Sequence, residues 1–544
     1  MLLLKIVIMD VSYIKLMAKY EAIQFRRGWI FKLFALIVVG INVSQLFIQG
    51  NFVRNEWYWM ALPSSFPYFQ ALCFNIVQVL FVIFAVHEVL NREKRDTEAS
   101  LLVHPISNVE RSFGQVLGIA RVVFLTCLVS MVFSMLVNLF ASDSQFSFWI
   151  YVFYFVTLVL PGFVLSVGMA MSLLVWGKNR VVVSLVLILV FGVVGLYLYD
   201  IGNGFFDFTT RALPNMFSDV TGHVNLWCYL LQRLAWLLGG TGLLFLAIGF
   251  ANRLPNCFKS VKNTRMVGMV CIILWACMGV LYFLPHIGEI DVRKEYVRTF
   301  ERYIEEPTGD LESLSLVFRQ SGDCFTGDCE LMLKNTTGEK MNRLLLFLNP
   351  GLAVKRVMVR GQEVPFVRDH QVLTVDVPLG VKDSVKLQVV YAGKIDGRIC
   401  YLDIPDEEYY RTSGDIGFFR LGKQNVFWGE KQTLLIPECL WYPVTCSPVN
   451  PVMPWDTRKN FTRYTLSVVG ETDRTVISQG AQTRHGDTLR FTNEERLTGI
   501  TFCAGDYDNR SVMVDSVLYS LYYFRGHDFF RKILMIRSLI SLKY

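Results

Sequence analysis

Beyond Pro285 this 544-residue chain has no apolar run of bilayer length, and before Pro285 its apolar runs carry almost no charge. The first absence excludes a polytopic membrane protein over the whole length. The second excludes a single water-soluble globule. Only 18% of the residues are charged against 53% hydrophobic, with a mean hydropathy of +0.39. That is too oily for one soluble domain and too polar for an all-membrane bundle, so two solvents and at least two domains are implied. Other absences narrow the chemistry. Gly177-Lys178-Asn179, Gly393-Lys394-Ile395 and Gly422-Lys423-Gln424 all lack the Ser or Thr that a phosphate-cradling loop needs for magnesium. There is no CxxC pair and no GxSxG elbow, which removes the commonest zinc and serine-nucleophile signatures.

What is present before Pro285 is a series of seven apolar stretches: Phe34 to Ile48, Phe66 to Val86, Val116 to Phe140, Phe148 to Trp176, Val181 to Tyr199, Leu231 to Phe250 and Val267 to Leu284. A span needs about 20 residues to cross about 30 Å of hydrocarbon, and the first stretch is short of that. One set of connections holds Arg26, Arg27, Arg92, Lys94, Arg95, Lys178, Arg180, Arg253, Lys259 and Lys262, whereas the alternate set holds only Arg54 and Arg211. Lys and Arg are retained on the cytoplasmic side of short loops. The asymmetry therefore places the N-terminus in the cytoplasm, and an odd number of spans delivers everything after Pro285 to the other side. Residues 1–285 carry 20 Lys and Arg against 12 Asp and Glu, and residues 286–544 carry 33 against 34. The basic surplus thus belongs to the inner face of a lipid bilayer and not to a nucleic-acid partner.

Within the spans only Arg121 and Arg233 are charged, both close enough to an end to snorkel. Pro161 and Gly162 permit a kink, and Gly239, Gly240 and Gly242 permit close helix approach. At the start, Met1 to Met9 is too short for a signal peptide. The basic segment after it reads as a cytoplasmic or interfacial element over residues 1–28, with Ile14, Leu16, Ala18 and Ile23 partly buried.

The second half has a different period. Apolar residues alternate at Leu373, Val375, Val377, at Val385, Leu387, Val389, Tyr391 and at Tyr464, Leu466, Val468, with glycines between the runs. Period two over repeated short segments predicts antiparallel sheets with one buried face. The expected fold is an α-helical membrane bundle of about seven spans over 29–285, a linker over 286–312, and an all-β extracytoplasmic sandwich or saddle over 313–530. A basic, apolar tail over 531–544 follows. In an oxidising compartment Cys324 with Cys329 and Cys439 with Cys446 are candidate local disulfides, although spacing alone gives no connectivity. No histidine spacing suits a metal. His87-Glu88-Val89-Leu90-Asn91 comes nearest to the zinc-protease motif, but Asn91 stands where the second ligand belongs.

Two resemblances extend this reading. Between the second and third stretches the order Arg92-Glu93-Lys94-Arg95, Thr97-Glu98, Leu101-Leu102, Pro105-Ile106-Ser107 resembles the permeases of type-2 ATP-binding-cassette exporters. In that family the region is a coupling helix that docks in a separate ATPase. The resemblance implies polar contacts from Arg92, Lys94, Arg95, Thr97 and Glu98 and packing by Leu101 and Leu102, with Pro105 in the same ATPase-coupling loop. It also implies an ABC ATPase partner holding ATP and magnesium, no cofactor in this chain, and a second permease half, identical or not.

From Ser313 to Phe530 the order of segments is similar to the N-terminal β domain of the aminopeptidase N family of gluzincin peptidases. The likeness is carried by Lys334-Asn335-Thr336-Thr337-Gly338, Leu346-Phe347-Leu348-Asn349-Pro350-Gly351, Trp441-Tyr442-Pro443 and Ala504-Gly505-Asp506-Tyr507. In that family this domain does not perform hydrolysis, and the chain stops where the zinc domain would begin. The expectation is a non-enzymatic permease subunit of a bacterial inner-membrane exporter with an appended peptidase-like β domain. The alternative is a truncated membrane-anchored zinc aminopeptidase without its catalytic domain.

Overall fold

The computed structural model describes residues 11–49, 62–92, 108–142, 144–250, 258–322, 324–405, 419–420, 422, 424–429, 431–455, 458–471, 473–525 and 527. It separates into two units, Met1–Pro285 with Ser413–Gly422, and His286–Thr412 with Lys423–Tyr544.

Among the described residues the first unit is built from α1 (Val11–Arg27), α2 (Trp29–Gln49), α3 (Ser65–Arg92), α4 (Asn108–Ala141), α5 (Phe148–Trp176), α6 (Arg180–Leu196), α7 (Leu226–Phe250) and the first part of α8 (Phe258–Tyr303). Six of these, α2, α3, α4, α5, α7 and α8, contain stretches long and apolar enough to cross a membrane. The first span, expected from Phe34, begins at Trp29, which gives it the length that the hydropathy reading lacked. The fifth stretch forms α6, shorter at 17 residues. Asn179 caps α6 by accepting from the Val181 and Val182 amides, two donors that a helix start leaves unpaired.

α6 runs antiparallel to α3. At its start the Arg180 guanidinium donates to the Leu90 carbonyl at 2.5 Å and to Asn91 Oδ1 at 3.1 Å, and Ser184 Oγ lies 2.9 Å from His87 Nδ1. At its other end Phe191 meets Phe208 edge-on at 5.1 Å, and the Phe208 carbonyl accepts from Asn75 Nδ2 at 3.3 Å. α6 is thus level with α3 from Asn91 back to Asn75, about 24 Å at 1.5 Å per residue.

α5 and α7 pack backbone to backbone. A methyl group on Gly240 would lie 2.6 Å from Leu165 Cα, and one on Gly168 would run into the Gly240 carbonyl. Ser172 ties the pair by donating to the Gly168 and Leu243 carbonyls. Close approach at small residues is how helices associate where burial from water supplies no drive. The kink expected at Pro161 is preceded by a π-helical turn, Phe155–Val159, and the Val159 carbonyl accepts from Gln78 Nε2 at 2.8 Å. α1 lies against α4, with Met17 over Gly114 and Glu21 over Gly118. Ile14, Ala18, Ala22 and Phe25 are buried there, while Leu16 faces out, contrary to expectation.

The second unit is strand-rich. Among the described residues an eight-stranded sheet runs in the order Ala481–His485, Thr488–Thr492, Arg463–Val469, Asp310–Ser321, Cys324–Lys334, Ser384–Gly393, Leu352–Val359 and Gln362–Val364. All pairings are antiparallel except Arg463–Val469 with Asp310–Ser321. A four-stranded sheet, a three-stranded sheet and the hairpin Tyr507–Val514/Val517–Phe524 complete it. The alternation read from sequence is realised at Val385, Leu387, Val389 and Tyr391 and at Tyr464, Leu466 and Val468, all buried. Strand Val372–Val375 is buried on both faces, so the alternation read at Leu373, Val375 and Val377 does not mark a single buried face there.

One expectation is corrected. Residues 286–312 are not a linker, because α8 continues to Tyr303 and the first strand begins at Asp310. Tyr296 and Phe300 enter the β core, and Phe300 packs 6.0 Å from Phe347. Charged residues such as Glu295 and Arg298 hid this amphipathic turn from a hydropathy reading.

Candidate functional site

In the first unit, polar side chains collect beneath the connection between α6 and α7. Asp207 anchors that connection. Its Oδ1 accepts from the Thr209 amide at 2.7 Å and the Thr209 hydroxyl at 2.5 Å, and its Oδ2 accepts from the Ala212 amide at 2.9 Å. Burial pushes the Asp207 carboxyl up from the ordinary range, opposed by these donors and by the Arg233 guanidinium. Arg233 is 3% exposed and donates to the Asp207 carbonyl at 2.8 Å and the Phe208 carbonyl at 3.3 Å. It also donates from Nε to Gln232 Oε1 at 3.1 Å, and Gln232 in turn donates to the Gly204 and Asp207 carbonyls. The snorkelling expected of Arg233 is therefore corrected. Loop carbonyls replace water around the guanidinium, whose fork of donors suits several acceptors at once.

Thr210 is the strained point, a β-branched residue at φ 63°, a conformation that costs on the order of 1–3 kcal/mol. Its hydroxyl donates to the Thr209 carbonyl at 2.6 Å, which leaves Tyr68 of α3 as donor to Thr210 Oγ1 at 3.1 Å. Tyr68 in turn accepts from Asn215 Nδ2 at 2.8 Å, and Tyr154 of α5 donates to the Asn215 carbonyl at 2.5 Å. Helices α3, α5 and α7 thus grip one loop.

That loop grips a piece of chain from the strand-rich half. Asn215 Oδ1 accepts from the Arg420 amide at 2.9 Å, and the Arg420 carbonyl accepts from the Asn215 and Met216 amides at 2.8 and 3.1 Å. Arg420 Nε donates to the Arg211 carbonyl at 2.8 Å, and Phe419 stacks on Phe69 at 6.3 Å beside Tyr68 at 5.7 Å. What the arrangement does is hold Phe419 and Arg420, by main-chain hydrogen bonds to the latter and ring contacts to the former. Sequence reading named Arg233 but missed the rest, because Tyr68, Asp207, Asn215 and Arg420 are spread over about 350 positions with no motif spacing.

The residues expected to couple to an ATPase, Lys94, Arg95, Thr97, Glu98, Leu101, Leu102 and Pro105, lie outside the described residues, and Arg92 is the last residue of α3. The tail 531–544 also lies outside them. The disulfide expectations are corrected. Cys324 and Cys329 lie five positions apart on one extended strand, which separates their Cα atoms by about 16 Å, against the roughly 7 Å that a bridge tolerates. Cys439 is buried in a 3₁₀ turn and donates to the Ile436 carbonyl, whereas Cys446 faces Thr308, Arg458 and Asp310. His87 has both ring nitrogens engaged, by Ser184 and by Asn91 Nδ2 at 2.7 Å. Among the described residues no group of His, Cys, Asp and Glu is arranged to hold a metal.

No family model matches the sequence, and no curated protein matches it. Among solved structures it is similar to an M1 zinc metallopeptidase from Deinococcus radiodurans, at 17% identity and a TM-score of 0.28 over 39% of this chain and 46% of that one. It is also similar to Legionella pneumophila aminopeptidase A in complex with aspartic acid, at 9% identity and a TM-score of 0.31 over 41% of this chain and 25% of that one. The chain spans less than half the length of either structure.

Proposed function

We propose that this chain is the membrane subunit of an ATP-driven exporter, with a strand-rich module on the far side of the membrane from the ATPase. One observation carries the reading: the order of Arg92, Lys94, Arg95, Thr97, Glu98, Leu101, Leu102 and Pro105 in the connection between two apolar helices, α3 and α4. A permease without a nucleotide site receives force through a short cytoplasmic element, and ATP and magnesium then belong to the partner ATPase. The chain contributes no catalysis of its own. Two membrane halves are needed to enclose a path, so a second permease half completes the assembly.

Sidedness depends on α6. Six crossings return the chain to the starting side, and seven deliver residues after Pro285 to the other. The run of α6 beside α3 from Asn91 to Asn75 supports a seventh crossing. So does the concentration of Lys and Arg in alternate connections, which favours a cytoplasmic N-terminus in the bacterial inner membrane of this reading.

The decisive experiment is co-purification. The full chain is expected to bring down a nucleotide-binding subunit, and Leu101→Asp with Leu102→Asp is expected to abolish both association and ATP-dependent export while the protein remains in the membrane. Export unaffected by the double substitution, with no ATPase bound, overturns the reading in favour of a membrane-anchored peptidase fragment.

A further inference from the structure

The strand-rich unit contains two short turns of one design. Gly397–Ile399 forms a 3₁₀ turn that ends at Cys400, whose amide donates to the Gly397 carbonyl at 3.2 Å, and the next residue, Tyr401, has φ 52°. Pro437–Cys439 forms a second 3₁₀ turn, and the next residue, Leu440, has φ 54°. In each case a cysteine is followed directly by a left-handed residue, which reverses the chain. The two turns pack against one another.

Asn349 clamps them together. Its Nδ2 donates to the Asp396 carbonyl at 3.0 Å and the Cys439 carbonyl at 2.7 Å, and its Oδ1 accepts from the Asp396 amide at 2.9 Å. Arg293 holds the first turn from the other side, donating to the Arg398 and Cys400 carbonyls at 2.8 and 3.0 Å. Both cysteines are fully buried and are free thiols in this structure. Burial, and then the neighbouring Cys400 thiol, push the Cys439 thiol well above its usual range.

From this geometry we infer that Cys400 and Cys439 are a disulfide site, joined as the unit folds. Sequence spacing pointed to Cys446 as the partner of Cys439, and the fold substitutes Cys400. The inference rests on the proposed extracytoplasmic location, where a bridge persists. The two thiols give up two protons and two electrons. These pass by thiol exchange to the disulfide of an extracytoplasmic dithiol oxidase, which leaves as two thiols. A buried, protonated thiol is a poor nucleophile, so pairing precedes burial, and the finished bridge is shielded from reductants. Its position has a consequence for the helical unit. The chain leaves the strand-rich unit after Thr412, contributes Ser413–Gly422 to the helical one and re-enters at Lys423. Cys400 and Cys439 flank that excursion, and a bridge between them fastens both of its roots.

The test reads sidedness and pairing separately in intact cells. A membrane-impermeant maleimide reports on the exposed Cys324. Acid quenching, alkylation and non-reducing peptide mapping of the full chain then report on Cys400 and Cys439. The expected result is labelled Cys324 together with a Cys400–Cys439 linked peptide. Reductant is expected to lower the unfolding midpoint of the purified wild-type protein by several degrees and to leave that of a Cys400→Ala, Cys439→Ala variant unmoved. Labelled Cys324 with both other thiols alkylated overturns the pairing and leaves the sidedness intact. Unlabelled Cys324 in cells, with labelling in inverted vesicles, overturns the sidedness. In that event refolding of the full chain in glutathione redox buffer decides the pairing, upheld by selective Cys400–Cys439 linkage and overturned by its absence.

Discussion

The two units bury opposite things. In the helical unit the side chains removed from the surface include Gln45, Asn75, Gln78, Asp207, Asn215, Gln232 and Arg233, while Leu36, Val39, Leu185, Leu189, Met269 and Ile273 face outward. In the strand-rich unit Leu316, Phe318, Tyr391, Trp441 and Phe502 are inside, and Lys386, Glu330 and Arg298 are paired at the surface. Both units bury some polar groups, yet these serve different needs. A helix satisfies its own backbone, so Gln45, Asn75 and Gln78 are free to join one helix to another element. Sheets leave turn backbone unpaired, and buried Asn335 and Asn349 are spent there on carbonyls and amides of connections, while Gln371 reaches the Tyr296 carbonyl of α8. One composition therefore yields two interiors because the solvents differ.

The contrast breaks most visibly where each interior is deepest. Trp441 is fully buried, donates to the Ile500 carbonyl at 3.3 Å and packs against Phe318, Tyr442 and Phe502. Trp441→Ala is expected to destabilise the strand-rich unit by about 3–5 kcal/mol, through lost transfer energy and the cavity left behind. Arg233→Leu is the counterpart. It makes the helical unit more apolar, yet it removes one donor each from the Asp207 and Phe208 carbonyls, which keep Gln232 and Asn75, and it leaves the Asp207 carboxylate without its balancing charge, for an expected loss of about 3 kcal/mol. Thermal unfolding of the purified protein in detergent, followed with a probe in each unit, checks both. A neutral Arg233→Leu variant would mean that the polar interior of the helices is incidental.

How much of this contrast sequence could disclose depended on period and distance. Helices emerged because lipid-length apolar runs need no partner to be recognised, and the close contacts at Gly239, Gly240 and Gly242 were legible because small residues cluster there, Gly240 against α5 and Gly239 and Gly242 against α8. Strands 384–393 and 463–469 emerged from strict alternation. The end of α8 was lost because Tyr296 and Phe300 sit among charges. The clamp around Asp207 was lost for a different reason: its members come from three helices, a connection and a distant segment, so only the fold assembles them. Cysteine spacing misled at Cys324 and Cys329 because five positions along an extended strand carry the two far apart.

The next effect is smaller and depends on pH. Burial alone raises the Asp396 carboxyl, but the Arg398 side chain and amide and the Tyr296 hydroxyl, donating at 2.7 Å, more than offset it and hold the group below its ordinary range. A depressed folded value means that the stabilisation is complete above the unfolded carboxyl value near 3.9 and is lost as pH falls through the folded one. Asp396→Asn is expected to cost about 1 kcal/mol at neutral pH. Its deficit should shrink below about pH 4, because the wild type then loses the same interaction. Denaturant titrations from pH 3 to 7 test this, and a deficit that stays constant with pH would assign the cost to packing.

The smallest expected effect probes what a single polar link between helices is worth. Ser130 of α4 donates to Asn42 Oδ1 of α2 at 2.8 Å and accepts from Gln70 Nε2 of α3 at 3.3 Å, so one hydroxyl joins three helices. Counted as an unpaired amide in hydrocarbon, its loss would cost several kcal/mol. Measured links of this kind average only about 0.6 kcal/mol, because helices in a membrane find other partners before and after association. Ser130→Ala is therefore expected near that lower figure, with Asn42 and Gln70 turning toward each other across the vacated hydroxyl. A loss of about 3 kcal/mol, the cost of leaving buried polar groups unsatisfied, would show that these amides have no freedom to re-pair. The polar seam would then be as rigid as the core around Trp441, and the difference between the two interiors would lie in chemistry alone, not in tolerance.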